Sequence, residues 1–208
     1  MYKAIFDICG TLYDSNTTLD FCIWRSNGCT KFLLRLLRSR PIMILNKISF
    51  LCLKKEMIPI RDIFIRTLKG APRYMLFKQA KEFVHTFLVS KRRECIISLL
   101  DNFQSHNIVF ASATLDCLAF HIAQYFNISH FVSSKLLYNQ QEICQGTLEI
   151  DLLGNKHTLF GDIYFVATDN LDDILLCQKA QSSVILTKKR NKKKWLSQNL
   201  KNSTIMEI

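Results

Sequence analysis

Five short apolar runs, rich in β-branched and aromatic residues, recur along this chain at positions 2–8, 107–111, 130–133, 164–167 and 183–186. None alternates apolar with polar as a strand wetted on one face would. Each therefore reads as a strand buried on both faces, as in a parallel sheet covered by helices. Helical patterns fill intervals at 91–103, 115–126 and 171–180. Strands alternating with helices make the expected fold α/β with a mainly parallel sheet.

The stretch between the first and second strands breaks this rhythm. Residues 17–90 are leucine-rich and helical in pattern, and between Arg25 and Lys69 they carry eleven Lys or Arg against two acids, Glu56 and Asp62. One strand precedes this block and the others follow it. The block is therefore expected to be an α-helical cap inserted in the core, with residues 1–16 and 91–208 forming the core and 17–90 the cap. Its basic side chains fit a solvated face and an anion-contacting surface equally well. A second basic cluster, at 188–194, has only Trp195 as an aromatic neighbour. Nucleic-acid surfaces interleave bases with aromatics or use a recognisable binding fold. This cluster is expected to be a solvated C-terminal extension, with no nucleic-acid partner.

Composition narrows the classes further. Apolar residues make up 49% of the 208 positions and charged residues 22%, with 3 Pro and 6 Gly, which excludes disordered, collagenous and low-complexity chains. The formal charge of +11 favours anionic partners. Eight cysteines are scattered without a C-x-x-C pair, and the first apolar run is too short for a secretory signal. Reduced thiols in a cytoplasmic protein, most of them buried as small hydrophobes, are expected. No stretch reaches the roughly 18–20 apolar residues of a membrane span. The nearest, 41–53, is broken by Asn46 and Lys47 and suits a buried or interfacial helix.

Chemistry concentrates where the first strand ends, in Phe6-Asp7-Ile8-Cys9-Gly10-Thr11-Leu12-Tyr13-Asp14. A carboxylate there lies at the carboxyl edge of the sheet, where α/β folds bind ligands. Gly10 allows a sharp turn that leaves backbone amides facing an anion. Further along, the apolar run 108–111 leads into Ser112-Ala113-Thr114. Lys156 follows Gly154-Asn155, and the run 164–168 leads to Asp169 and then Asp172-Asp173.

These four elements, in this order, resemble the motifs of the haloacid dehalogenase-like hydrolase superfamily, and the resemblance spans essentially the whole chain. It is closest to the phosphoserine-phosphatase-like branch, which has a helical cap between the first two motifs. The resemblance implies a Rossmann-like three-layer core. It implies Asp7 as a nucleophile forming an aspartyl-phosphate, and a Mg2+ ion held by Asp7, the Cys9 carbonyl and Asp169, with Asp173 helping directly or by orienting Asp169. Ser112 and Lys156 would contact the phosphoryl group, with Gly10, Thr11 and Ala113 completing the phosphate cradle.

One departure matters. The family's phosphatases place a second Asp two residues after the nucleophile as acid and base, and here that position is Cys9. A thiol is a poor proton shuttle, and losing such a group costs on the order of 10²–10⁴ in rate. Three readings follow: a Mg-dependent phosphohydrolase or phosphotransferase that is slow or acts on a good leaving group; a halide-displacing hydrolase, which Asp169 and Asp173 speak against; and a weakened domain kept for binding or regulation. The first is preferred. The expected substrate is a small phosphorylated metabolite or a lipid-linked phosphate. The basic, apolar segments 32–37 and 42–45 either pack as the cap's own core or touch an anionic membrane at its inner face.

Overall fold

The computed structural model describes residues 3–53 and 57–208, and for residue 47 and residues 50–53 its backbone only. Seven strands form one sheet in the order β4-β3-β2-β1-β5-β6-β7. They are β1 (Lys3–Phe6), β2 (Ile108–Leu115), β3 (His130–Tyr138), β4 (Cys144–Ile150), β5 (Ile163–Thr168), β6 (Ala180–Thr187) and β7 (Ser203–Glu207). Every neighbouring pair is parallel except β3 with β4. The sheet is thus the mainly parallel one expected, and each of the five expected runs overlaps one of its strands, the first running past the end of β1 at Phe6 and the second starting one residue before β2. Tyr2, where the first expected run began, lies outside the described residues.

The pleat explains why the runs looked continuously apolar. Ala4 and Phe6 point to one face with Ile108, Phe110, Phe165 and Ala167, while Ile5 points to the other with Val109, Ala111 and Val166. Successive side chains alternate between faces, and here both faces are covered. The second face packs against α8 (Ile174–Lys179) and Trp195 of α9 (Lys189–Leu196). The first carries α7 (Asp116–Tyr125), α6 (Glu94–Leu100) and the helices between β1 and β2. Those are α1 (Thr17–Arg25), α2 (Gly28–Leu37), α3 (Arg40–Leu53), α4 (Ile60–Arg66) and α5 (Arg73–Thr86). Phe21 of α1, Phe64 of α4 and Phe83 of α5 belong to the same hydrophobic cluster as Phe6 and Phe110, so this helical stretch is packed continuously with the sheet.

Two strands were not legible. β4 reads CQGTLEI, too polar for a buried strand; it is the antiparallel edge partner of β3 and needs only one apolar face. β7 falls within the segment expected to be a solvated extension, and that expectation is corrected. β7 pairs with β6 from Ser183↔Ser203 to Thr187↔Glu207, and Trp195 is 1% exposed. The lysines of α9 do face outward, but the segment carrying them closes the sheet and covers its second face. The helix expected over 171–180 is shorter, because a 3-10 turn occupies Leu171–Asp173 and Ala180 already belongs to β6. Cys22, Cys117, Cys144 and Cys177 are buried free thiols, whereas Cys29 and Cys95 are exposed.

Candidate active site

β1 lies at the middle of the sheet, and the chain crosses to β2 on one side of it and to β5 on the other. Such a reversal opens a crevice at the carboxyl ends of the strands. Asp7 is the residue that steps out of β1 there, its amide still donating to the Ala167 carbonyl at 2.9 Å. The following loop folds on itself: the Gly10 amide donates to Ser15 and the Tyr13 amide to Ile8. Arg93 braces it from outside, donating to the Gly10 carbonyl at 3.1 Å and to Asp14 at 2.8 Å.

The structure brings the widely separated residues named above to this point. Lys156, in a 3-10 turn after Asn155, is 3% exposed. Its Nζ lies 3.1 Å from Asp7 Oδ1 and 2.7 Å from Asp173 Oδ2. Asp173 is 2% exposed, and the same oxygen accepts from the Thr168 hydroxyl at 2.7 Å. Among the contacts made by Asp173, these two hold Lys156 in place beside Asp7. Asp169 does not cap the helix that follows: Asn170 caps the 3-10 turn through Asp172. Asp169 instead accepts from the Thr11 hydroxyl at 3.2 Å, and its carboxylate occupies the space that a side chain at Gly10 would fill. Gly10 has φ of +73°, so both backbone shape and this close approach require glycine.

Ser112 is fully buried within β2, where its regular pairing with β3 stops, beside Asp7. The ladder to β3 slips after Ser112↔Ser133 and resumes only at Leu115↔Ser134, taking Ala113 and Thr114 out of regular pairing. Arg61 of α4 fills the gap. Its guanidinium donates to the Ala113 carbonyl at 2.8 Å and the Ser134 hydroxyl at 3.1 Å, and pairs with Asp151 at 2.5 Å.

The Cys9 thiol is held among hydroxyls. It lies 2.8 Å from Thr17 Oγ1 and 3.0 Å from Thr114 Oγ1; the two threonines are 2.7 Å apart, and Thr114 is 3.1 Å from Ser112 Oγ. Thr17, Thr114, Arg61, Arg93 and Thr168 had no assigned role on sequence grounds. Thr114 stood in the quoted Ser-Ala-Thr segment, but nothing in the spacing linked it to Cys9 or Thr17.

Electrostatics follow from burial. Asp7 titrates above the ordinary carboxylate range because it is buried; Lys156 opposes the rise, Asp173 adds to it, and hydrogen bonds from Lys156 and Ser112 work against it. Burial, then the charge of Asp7, raises Asp169 to about 7, although Thr11 and Lys156 pull it down. Burial weakens the charge on Lys156, but Asp7 and Asp173 outweigh this and lift its pKa above the usual lysine value. The Cys9 thiol is pushed up by burial and by Asp7, so it stays protonated at neutral pH. The site thus has two carboxylates, Asp7 and Asp169, that resist carrying charge together beside a single ammonium.

Among the described residues, no group of three or more His, Cys, Asp or Glu side chains gathers as a metal site. The oxygen donors available are the two carboxylates and the main-chain carbonyl of Cys9. Magnesium is commonly held by one or two carboxylates with several retained waters, and the donor chemistry fits that pattern.

No family model matches the sequence, and no curated protein matches it. Solved structures do match. A protein of unknown function from Bordetella pertussis Tohama I superposes with a TM-score of 0.70 at 13% identity, covering 99% of this chain and 97% of that one. A HAD family hydrolase from Salmonella enterica serovar Typhi gives 0.61 at 13% identity, covering 93% of this chain and 66% of that one. A phosphoserine phosphatase, solved as an analogue of its phospho-aspartyl intermediate, gives 0.57 at 15% identity, covering 100% and 94%. With the parallel sheet, the acidic crevice at β1 and the helices between β1 and β2, these likenesses show that the chain shares the fold of the HAD family hydrolase and the phosphoserine phosphatase.

Proposed function

We propose that the chain is a Mg-dependent phosphohydrolase or phosphotransferase that works through Asp7. The observation that carries this reading is the buried contact of Lys156 with both Asp7 and Asp173. A buried charge of this kind is costly unless paired, and here the cation lies against the one carboxylate at the end of the central strand. The phosphoserine phosphatase similar in fold was solved as a phospho-aspartyl analogue, in keeping with the same chemistry.

In the first step a carboxylate oxygen of Asp7 would bond to phosphorus as the bond to the leaving oxygen breaks. In the second, water would attack phosphorus, release phosphate and restore Asp7, its proton passing to solvent or phosphate. Lys156 offsets the negative charge that Asp7 and the phosphoryl oxygens bring together, and the Ser112 hydroxyl donates toward the same place. Asp7, Asp169 and the Cys9 carbonyl would hold Mg2+, which when bound neutralises the repulsion between carboxylate and phosphate. The absence of a side chain at Gly10 leaves room for the Asp169 carboxylate beside this loop.

Cys9 decides which leaving groups suit the site. A thiol that stays protonated cannot act as base, and its raised pKa makes it a weak acid. We therefore infer a substrate whose leaving group departs without much protonation, such as an acyl phosphate or a diphosphate. A small metabolite bearing an acyl phosphate and a lipid-linked diphosphate both satisfy this chemistry. The test is hydrolysis across a panel of aryl phosphates, acyl phosphates and diphosphates, with and without Mg2+. Turnover that needs Mg2+ and disappears in Asp7→Asn is expected, together with loss of trapped phosphoenzyme. Turnover surviving Asp7→Asn would refute the nucleophile. No turnover across the panel, with Mg2+ still bound, would instead support a binding or regulatory domain.

A further inference from the structure

Helix α3 is built the wrong way round for a surface helix of a soluble domain. Among the described side chains of α3, the buried ones are Asn46 and Ser49, and Asn46 is fixed by donating to the Ile58 carbonyl at 2.6 Å and accepting from the Ile58 amide at 2.8 Å. Met43, Ile44, Leu45 and Ile48 face outward, each 45–57% exposed. The usual amphipathic arrangement puts the apolar stripe inward and the polar residues outward. The neighbouring α2 continues the pattern: Leu34 is buried, while Phe32 is 71% exposed and Leu33 and Leu36 are about half exposed. Packing within the helices accounts for Leu34, Leu37 and Ile42 and leaves Phe32, Leu33, Leu36, Met43, Ile44, Leu45 and Ile48 exposed. Single exposed apolar residues are normal on any protein, but seven on two consecutive helices mark a contact surface.

Along the segment that forms this face the charge is of one sign. From Phe21 to Lys55 the sequence holds eight Lys or Arg and no Asp or Glu. Helix α2 also borders a cleft of about 430 Å3 against α1, where Lys31, Arg35 and Arg38 stand beside Trp24 and Phe87; Asp20 of α1 lines it too and is paired with Arg38, which leaves Lys31 and Arg35 as the cations in excess. A second copy of this chain would set cations against cations with no acid in the segment to meet them. An anionic bilayer complements both halves of the surface, with its acyl boundary taking the apolar side chains and its phosphates the basic ones.

We propose that the α2–α3 face docks on the surface of an anionic lipid bilayer, lying in the interface without crossing it. No described helix is long and apolar enough to span a membrane. The docking is independent of the catalytic reading, since none of these residues belongs to the crevice at β1.

Flotation of the full chain with vesicles tests it, comparing phosphatidylcholine alone with phosphatidylcholine containing about one-third phosphatidylglycerol. Binding to the mixed vesicles, weakened by high salt, is expected. The double variant Phe32→Asp, Ile44→Asp should lose on the order of tenfold in partitioning. A control of equal charge change on α9, Lys189→Ala with Lys193→Ala, should lose far less. Both variants alter exposed side chains, and circular dichroism checks that they fold. Equal losses in the two variants would overturn the proposal, because they would reduce binding to the diffuse attraction of a chain of charge +11. Failure of the wild type to float with mixed vesicles would also overturn it. So would a dimer in light scattering that the Phe32→Asp, Ile44→Asp variant dissolves, since the face would then be buried by a second copy.

Discussion

Replacing Lys156 by Met keeps the length of the side chain and removes its charge. At an effective dielectric near 20, two unit charges 4 Å apart attract by about 4 kcal/mol, and Nζ makes two closer contacts, at 3.1 and 2.7 Å. The gross attraction is thus on the order of 10 kcal/mol, from which the cost of drying the ammonium must be subtracted. What survives when one partner of a buried pair is deleted is typically about 3–5 kcal/mol. Lys156→Met should therefore lower unfolding stability by about that much, because Asp7 and Asp173 remain buried and face each other without a cation. Asp173→Asn should cost less, since Lys156 keeps Asp7. The double variant should be more stable than the sum of the single effects implies, by about 1–3 kcal/mol, because only one buried carboxylate then lacks its cation. Urea unfolding followed by circular dichroism gives all three values. A loss below about 1 kcal/mol for Lys156→Met, with additive effects in the double variant, would refute the ion network.

Other outcomes follow from the same geometry. Cys9→Asp puts a carboxyl among the hydroxyls of Thr17 and Thr114 and should raise hydrolysis of poor leaving groups by on the order of 10²–10⁴; an unchanged rate would show that protonation is handled elsewhere. Asp169 titrates near 7 in the folded chain, above its unfolded value, so its contribution to stability is fully present at acid pH and lost as pH rises toward and through 7. Metal-free protein should accordingly be less stable at pH 8 than at pH 5, by on the order of 1–2 kcal/mol given the residue's partial exposure. Thermal melts should show that difference shrinking in Asp169→Asn and on adding Mg2+; a flat profile in the wild type would contradict the assignment. Trp195→Ala should cost about 3–5 kcal/mol if α9 truly covers the sheet, whereas a melting curve unchanged from the wild type would return the tail to the solvent.

The sheet was largely readable because buried parallel strands need apolar side chains on both faces, and 107–111 or 164–167 can serve little else. β4 and β7 escaped because an edge strand needs only one apolar face; Gly146 and Glu149 in one and Glu207 in the other mask the pattern. Asp7, Ser112, Lys156 and Asp169 could be picked out because they stand, in order, where the motifs of the family that the sequence resembles would place them. Their partners could not. Thr17 and Thr114 meet around Cys9 only because α1 starts beneath the end of β2, and Arg61 reaches Ala113 because β2 and β3 slip in register. Such contacts depend on how elements pack, which local sequence does not encode. The basic tail misled for a related reason: a run of lysines looks solvated whether or not a tryptophan on the opposite side of the helix anchors it.

The sequence separation of 149 between Asp7 and Lys156 also bears on how the chain is made. As it leaves the ribosome, the acid of the first strand emerges long before the amine that offsets it. Closing the central pairing early would trap an uncompensated anion in a dry crevice, so the nascent N-terminal portion has reason to stay open until the later half arrives. Productive assembly is then tied to late, distant contacts, which slow collapse and lengthen the time in which half-made chains can aggregate.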